Sequence, residues 1–118
     1  MKAGGYVPDR GEVVWLEFDP RTGHEQAGRR PAMVLSPALY NARSSLAIVC
    51  PITRQQKGYP FETPIPEALP IGGVVLADHA RSVDWKARRA ERICRIPDEV
   101  IAEVTAKLVA LISSPEPD

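Results

Sequence analysis

Glu25-Gln26-Ala27-Gly28-Arg29-Arg30-Pro31-Ala32-Met33-Val34-Leu35-Ser36 begins as a polar, glycine-containing loop and ends as an apolar run. Pro31 fixes its own φ and disfavours the helical region for the residue before it. Arg30 is therefore expected to be extended, at the point where loop becomes strand. A side chain there is held by a rigid element and still reaches solvent, which suits a working group. Read alone, the same residues also fit a hairpin loop whose arginines keep the surface solvated.

The flanking pattern makes this stretch one strand of a small sheet. Upstream, Glu12 to Phe18 (Glu-Val-Val-Trp-Leu-Glu-Phe) is β-branched and aromatic, bounded by Gly11 and Asp19-Pro20, and reads as a strand. Pro31 to Leu35 is its antiparallel neighbour. Downstream, Pro37 to Asn41 suits one helical turn. Leu46 to Ile52 is a continuous apolar run of strand length, so both of its faces are expected to be buried. Thr53 follows it, and the chain turns polar at Arg54-Gln55-Gln56-Lys57-Gly58. Tyr59 to Ile65 is interrupted by Pro60 and Pro64 and reads as an edge strand or extended segment. Val74 to Ala77 is a further strand, Asp78-His79 a bend, and Ile93 to Ile96 a last short strand.

The single long helix comes last. Val100, Val104, Leu108 and Leu111 or Ile112 recur every three or four residues, which predicts one continuous apolar stripe. Pro97 suits the first helical position, and Asp98 and Glu99 suit the positive helix end. Short strands plus one terminal helix predict a mainly-β fold, with the helix covering one face or end of a curved antiparallel sheet. The other face is then left to bind something. The 118 residues fit a single domain, 1–118.

Fifteen basic and fifteen acidic residues cancel, so no global basic footprint for nucleic acid exists. An anionic partner must be drawn by local patches. Three are visible: Arg21, Arg29 and Arg30 around the first loop, Arg54 with Lys57, and a segment with Arg81, Lys86, Arg88, Arg89, Arg92 and Arg95. These are either solvated surface or contacts to phosphates. Tyr59 and Trp85 lie among them, as stacking platforms or as core. Cys50 and Cys94 are far apart in apolar surroundings and read as two buried thiols of a reduced cytosolic protein. His24 and His79 have no metal-ligand spacing with them, so no metal is expected. No apolar run reaches spanning length, and the protein is expected in the cytoplasm without a membrane partner.

No nucleophile–base motif, phosphate loop or dinucleotide fingerprint is present. An enzyme built this way needs chemistry that asks for few groups. Cleavage of RNA by its own 2′-hydroxyl qualifies, because the substrate brings the nucleophile. At this point the chain resembles the MazF/PemK family of toxin endoribonucleases, over roughly Tyr6 to Ile112. Four stretches carry the resemblance, in order: Gly11 to Pro20, Glu25 to Pro37, Pro51 to Phe61, and Leu76 to Arg88.

The resemblance implies an SH3-like barrel with a C-terminal helix, a homodimer, and metal- and cofactor-independent, sequence-specific cutting of single-stranded mRNA. The products would be 2′,3′-cyclic phosphate and 5′-hydroxyl ends. A MazE-like antitoxin would inhibit by laying an acidic segment in the RNA groove. The family's catalytic pair falls on Arg30 and Thr53. A guanidinium holds its proton too tightly to act as a base, so Arg30 is read as a phosphate clamp, with proton donation as an alternative role, and Thr53 as a hydrogen-bond donor to the same phosphate. Glu25 on the same loop and His24 are the candidates for the base, with His79 a core or turn residue. Gln26, Gly28, Arg29, Arg54, Lys57, Tyr59, Arg81, Lys86 and Arg88 are the expected substrate contacts. Two rivals remain: an RNA-binding module without turnover, and a gyrase poison on the same fold.

Overall fold

The computed structural model describes residues 5–18 and 28–113. Glu25 and Gln26, with Arg21 and His24, lie outside the described residues. The elements are β1 (Glu12–Phe18), β2 (Gly28–Val34), α1 (Ala38–Ser44), β3 (Leu46–Thr53), β4 (Glu62–Pro64) and β5 (Val74–Leu76). A 3-10 turn (Ala77–His79), β6 (Arg81–Asp84), β7 (Glu91–Arg95) and α2 (Asp98–Ile112) complete the chain.

Strands neighbour one another in the order β4-β5-β3-β2-β1-β7, and β6 also pairs with β3. The mainly-β fold with a C-terminal helix is as expected. The path of pairings is open: among the described residues no ladder joins β7 back to β4, so backbone pairing does not close the expected barrel. β3 is the spine. It takes β2 through Val49, Cys50 and Pro51. It takes β6 through Leu46 to Val49, and β5 through Ile52 and Thr53.

Alternation along the central strands builds two cores. Val13, Met33, Cys50 and Ile52 point to one face and pack with Val100, Ile101 and Val104 of α2. Val14, Leu16, Ala32, Val34, Ala47 and Val49 point to the other, under Val83 and Trp85. The apolar run of β3 is thus buried on both sides from Val49 onward, as continuous hydrophobicity predicts. Leu46 and Ile48 are the exceptions, each more than a third exposed. Each buried Val or Ile of α2 contributes roughly 1.5–3 kcal/mol relative to exposure. Gly11 permits the approach, since a Cβ there would strike Ile101.

Differences from the sequence reading have local causes. β2 starts at Gly28, not Pro31, because β1 pairs with it as far as Phe18↔Gly28; Arg30 sits inside a strand. Pro37 and Pro97 are helix caps, one step before the first helical residue. β4 shrinks to three residues between Pro60 and Pro66. Arg81 to Asp84, read only as a segment after a bend, is a strand. Trp85 is core: its indole N–H donates to the Asn41 carbonyl at 3.0 Å. Asn41 itself is fully buried and joins Ser36 and the Pro8 carbonyl. Leaving one partner of such a network unpaired costs about 1–3 kcal/mol. Cys50 is buried, which pushes its thiol up to about 12, whereas Cys94 is half-buried. Of the α2 stripe, Val100 and Val104 are buried together with Ile101, Leu108 is half-buried, and Leu111 and Ile112 are exposed.

Candidate active site

Arg30 and Thr53 meet because of register. β2 and β3 pair antiparallel through Val34↔Val49, Met33↔Cys50 and Ala32↔Pro51. The ladder ends at Ala32↔Pro51; Arg30 and Thr53 each lie two residues beyond it on their strands and line the same recesses. On the face that buries Val34, Ala32 and Val49, the sequence then changes from apolar to Arg30 and Thr53. The core ends and a polar site begins at the same strand ends.

Two recesses meet there. One, of about 410 Å³, lies beside Trp15, Arg29, Arg54 and Gln55. The other, of about 340 Å³, lies beside Leu76, His79, Arg81 and Val83. Arg30, Pro31, Ile52 and Thr53 line both. We treat them as two lobes of one cleft. Its charge is set by Arg29, Arg30, Arg54 and Arg81, and no carboxylate lines either lobe among the described residues. Such a cleft favours an anion.

Thr53 is oriented from two sides. Its Oγ1 accepts the Gln55 N–H at 3.1 Å, which leaves the hydroxyl proton to be donated outward. Gly73, with φ of +113°, lies against its backbone; a Cβ there would strike the Thr53 carbonyl oxygen. Only glycine lets the chain before β5 come so close. The loop after Thr53 is also held. The buried Glu62 carboxylate accepts N–H groups from Lys57 and Gly58 at 3.0 and 2.9 Å.

The other expected contacts divide. Arg54 and Arg81 line the cleft. Arg29 lines it too, yet its guanidinium donates to the Arg89 carbonyl at 2.9 Å and pairs with Glu91 and Glu17. Gly28 opens β2 with φ of +104° and is exposed. Lys57 and Tyr59 are exposed on the loop beyond Arg54, outside the cleft lining. Lys86 lies over the Trp85 ring, 5.7 Å from its centroid. Arg88 donates to the Glu17 carbonyl at 3.1 Å. Among the described residues, no three His, Cys, Asp or Glu side chains gather in a way that could hold a metal ion.

Trp15 and His79 line the cleft in addition to the expected contacts. Trp15 pairs across the ladder with Pro31, and the alternation of β1 turns it away from Val14 and Leu16. That signal was present in the strand pattern. His79 had no such signal, since it reaches the cleft through the tertiary path of β5 and β6.

Comparison with known proteins shows the family of the chain. Residues 9–112 match the family described as PemK-like, MazF-like toxin of type II toxin–antitoxin system. The chain is 44% identical over 107 residues to the endoribonuclease toxin MazF of Escherichia coli K12, covering 91% of this chain and 96% of that one. It is 32% identical to the endoribonuclease EndoA of Bacillus subtilis, covering 86% and 91%. Among solved structures, MazE–MazF of Deinococcus radiodurans (Form II) superposes with a TM-score of 0.88 at 55% identity, covering 94% of this chain and all of that one. With a match that spans both strands of the cleft and the helix behind it, the chain belongs to the PemK-like, MazF-like toxin family of type II toxin–antitoxin systems.

Proposed function

We propose that this protein is the toxin of its pair and a sequence-specific endoribonuclease. It cuts single-stranded mRNA without a metal or other cofactor, leaving 2′,3′-cyclic phosphate and 5′-hydroxyl ends. The observation that carries this reading is the juxtaposition of Arg30 and Thr53 at the junction of two cationic lobes. The 2′-hydroxyl of the substrate attacks the adjacent phosphorus. Arg30 grips the phosphoryl oxygens, where a planar fork gives two charge-assisted bonds. The Thr53 hydroxyl donates to the same group as negative charge grows. Arg54 and Arg81 hold the flanking phosphates, and Trp15 offers an aromatic surface for a base.

The antitoxin supplies an acidic segment that competes for these arginines, as befits a family related to MazE–MazF complexes. The toxin works as a homodimer in the cytoplasm. No described helix is long and apolar enough to cross a membrane. The dimer face is assigned to the exposed apolar groove formed by Tyr40, Ile48, Leu108, Val109 and Ile112.

The test is cleavage of RNA in EDTA, with end analysis of the products. The expected result is a cyclic phosphate and a 5′-hydroxyl. An RNA carrying a single 2′-deoxy nucleotide just 5′ of the cut is expected to bind and stay intact. Retention of RNA without cutting would leave a binding module, and inertness toward RNA would leave a toxin that acts by gripping another protein.

A further inference from the structure

β5, the 3-10 turn and β6 run as one length antiparallel to β3. Val75 pairs with Ile52, and Arg81 with Val49. Between these pairs five residues, Leu76 to Ala80, face only two, Cys50 and Pro51. The surplus must leave the ladder, and the 3-10 turn is where it does. Pro51 has no N–H, so the bulge orphans no donor on its side. The turn is fixed at its base: Ala77 is buried, and its N–H donates to the Phe61 carbonyl at 3.0 Å. His79 is thereby pushed outward, with a side chain 57% exposed, into the lobe that Arg30, Thr53 and Arg81 also line.

Among the described residues that line the cleft, the arginines hold their protons, and the Thr, Gln and Trp side chains do not accept one near neutrality. Imidazole does. We propose that His79 is the general base of the cleavage. This assignment rests on the endoribonuclease reading above.

The 2′-O–H bond breaks and its proton passes to a free nitrogen of His79. The 2′-oxygen bonds to phosphorus, and the P–O5′ bond breaks. The departing 5′-oxygen takes a proton from water, and the hydroxide so formed takes the proton from the imidazolium, restoring His79. Arg30 and Thr53 hold the phosphoryl charge throughout.

The experiment uses the full-length protein and two RNAs, one normal and one with sulfur in place of the bridging 5′-oxygen at the cut. A thiolate leaves without needing a proton, so only a base still matters for that substrate. His79→Gln is expected to lower the cleavage rate of both RNAs by about 10²–10⁴-fold. Affinity for the 2′-deoxy analogue and the melting temperature are expected to stay, because the ring is outside the core. A wild-type rate in the variant overturns the proposal. So does recovery on the sulfur substrate, which would make His79 a proton donor, and so does a rate loss matched by lost affinity, which would make it a contact. Wild-type protein that cuts no RNA overturns the endoribonuclease reading instead, so the two failures are distinguishable.

Discussion

The larger lobe of the cleft at the start of β2 and the groove beside the second half of α2 each enclose about 410 Å³. Their linings are opposite. The cleft gathers Arg29, Arg30, Thr53 and Arg54 around a partly buried tryptophan. The groove gathers Tyr40, Ile48, Leu108, Val109 and Ile112, with Arg10 at its rim. Equal volume says nothing about the occupant; the lining does. Fixed guanidinium groups around a strand junction suit phosphates, which are too well hydrated to enter an apolar recess. An apolar groove on a small domain suits a second protein surface. Ile112 is 74% exposed in the single chain, which leaves apolar area in water that a partner would cover.

The sharpest way to break this comparison is to show that the cleft does no chemistry. Arg30→Lys keeps the charge and loses the fork, and is expected to lose most of the cleavage rate, with Arg30→Ala lower still. Thr53→Val retains the β-branched shape and is expected to fall by about a hundred- to a thousandfold, the usual loss for one donor to a developing oxyanion. Single-turnover cleavage of a short RNA measures both. An Arg30→Ala variant near the wild-type rate would remove the cleft from the mechanism.

The groove is tested by charge. Paired substitutions Val109→Asp and Ile112→Asp are expected to convert a dimer at micromolar concentration into a monomer, read as a halved mass by light scattering. A mass unchanged by these two carboxylates would place the dimer face elsewhere.

The smallest expected effect distinguishes cations within the cleft from each other. Arg54→Ala or Arg81→Ala is expected to reduce the salt dependence of single-stranded RNA binding by about 0.7 in log–log slope, for the loss of one phosphate contact. Arg29→Ala is expected to leave that slope nearly unchanged, because Glu17 and Glu91 already hold its guanidinium. Binding titrations across salt decide this; equal slope changes for all three would make Arg29 a phosphate contact after all.

Much of the molecule was legible from local pattern. The strand at Glu12 to Phe18, the two-faced run before Thr53, the extended Arg30 ahead of a proline and the terminal helix all follow from neighbours in sequence. Side-chain direction in a strand or helix is set by a period of two or 3.6, and that period is written locally. The rest depends on which distant segments come together. Arg29 reads as a substrate contact until β7 brings Glu91 to it from 62 residues away. The stripe on α2 reads as buried along its length, yet Leu111 and Ile112 are left exposed.

Local sequence alone therefore sets the elements, the faces they bury, and the family to which their motifs point. Tertiary packing alone sets the juxtapositions: Arg30 and Thr53 on one cleft, Glu91 on Arg29, an apolar groove left open, and His79 displaced into the cleft where five residues face two. The physical reason is that periodicity constrains each strand separately. Register and bulges are fixed by packing between strands, and no single segment contains the information for a contact that its partner completes.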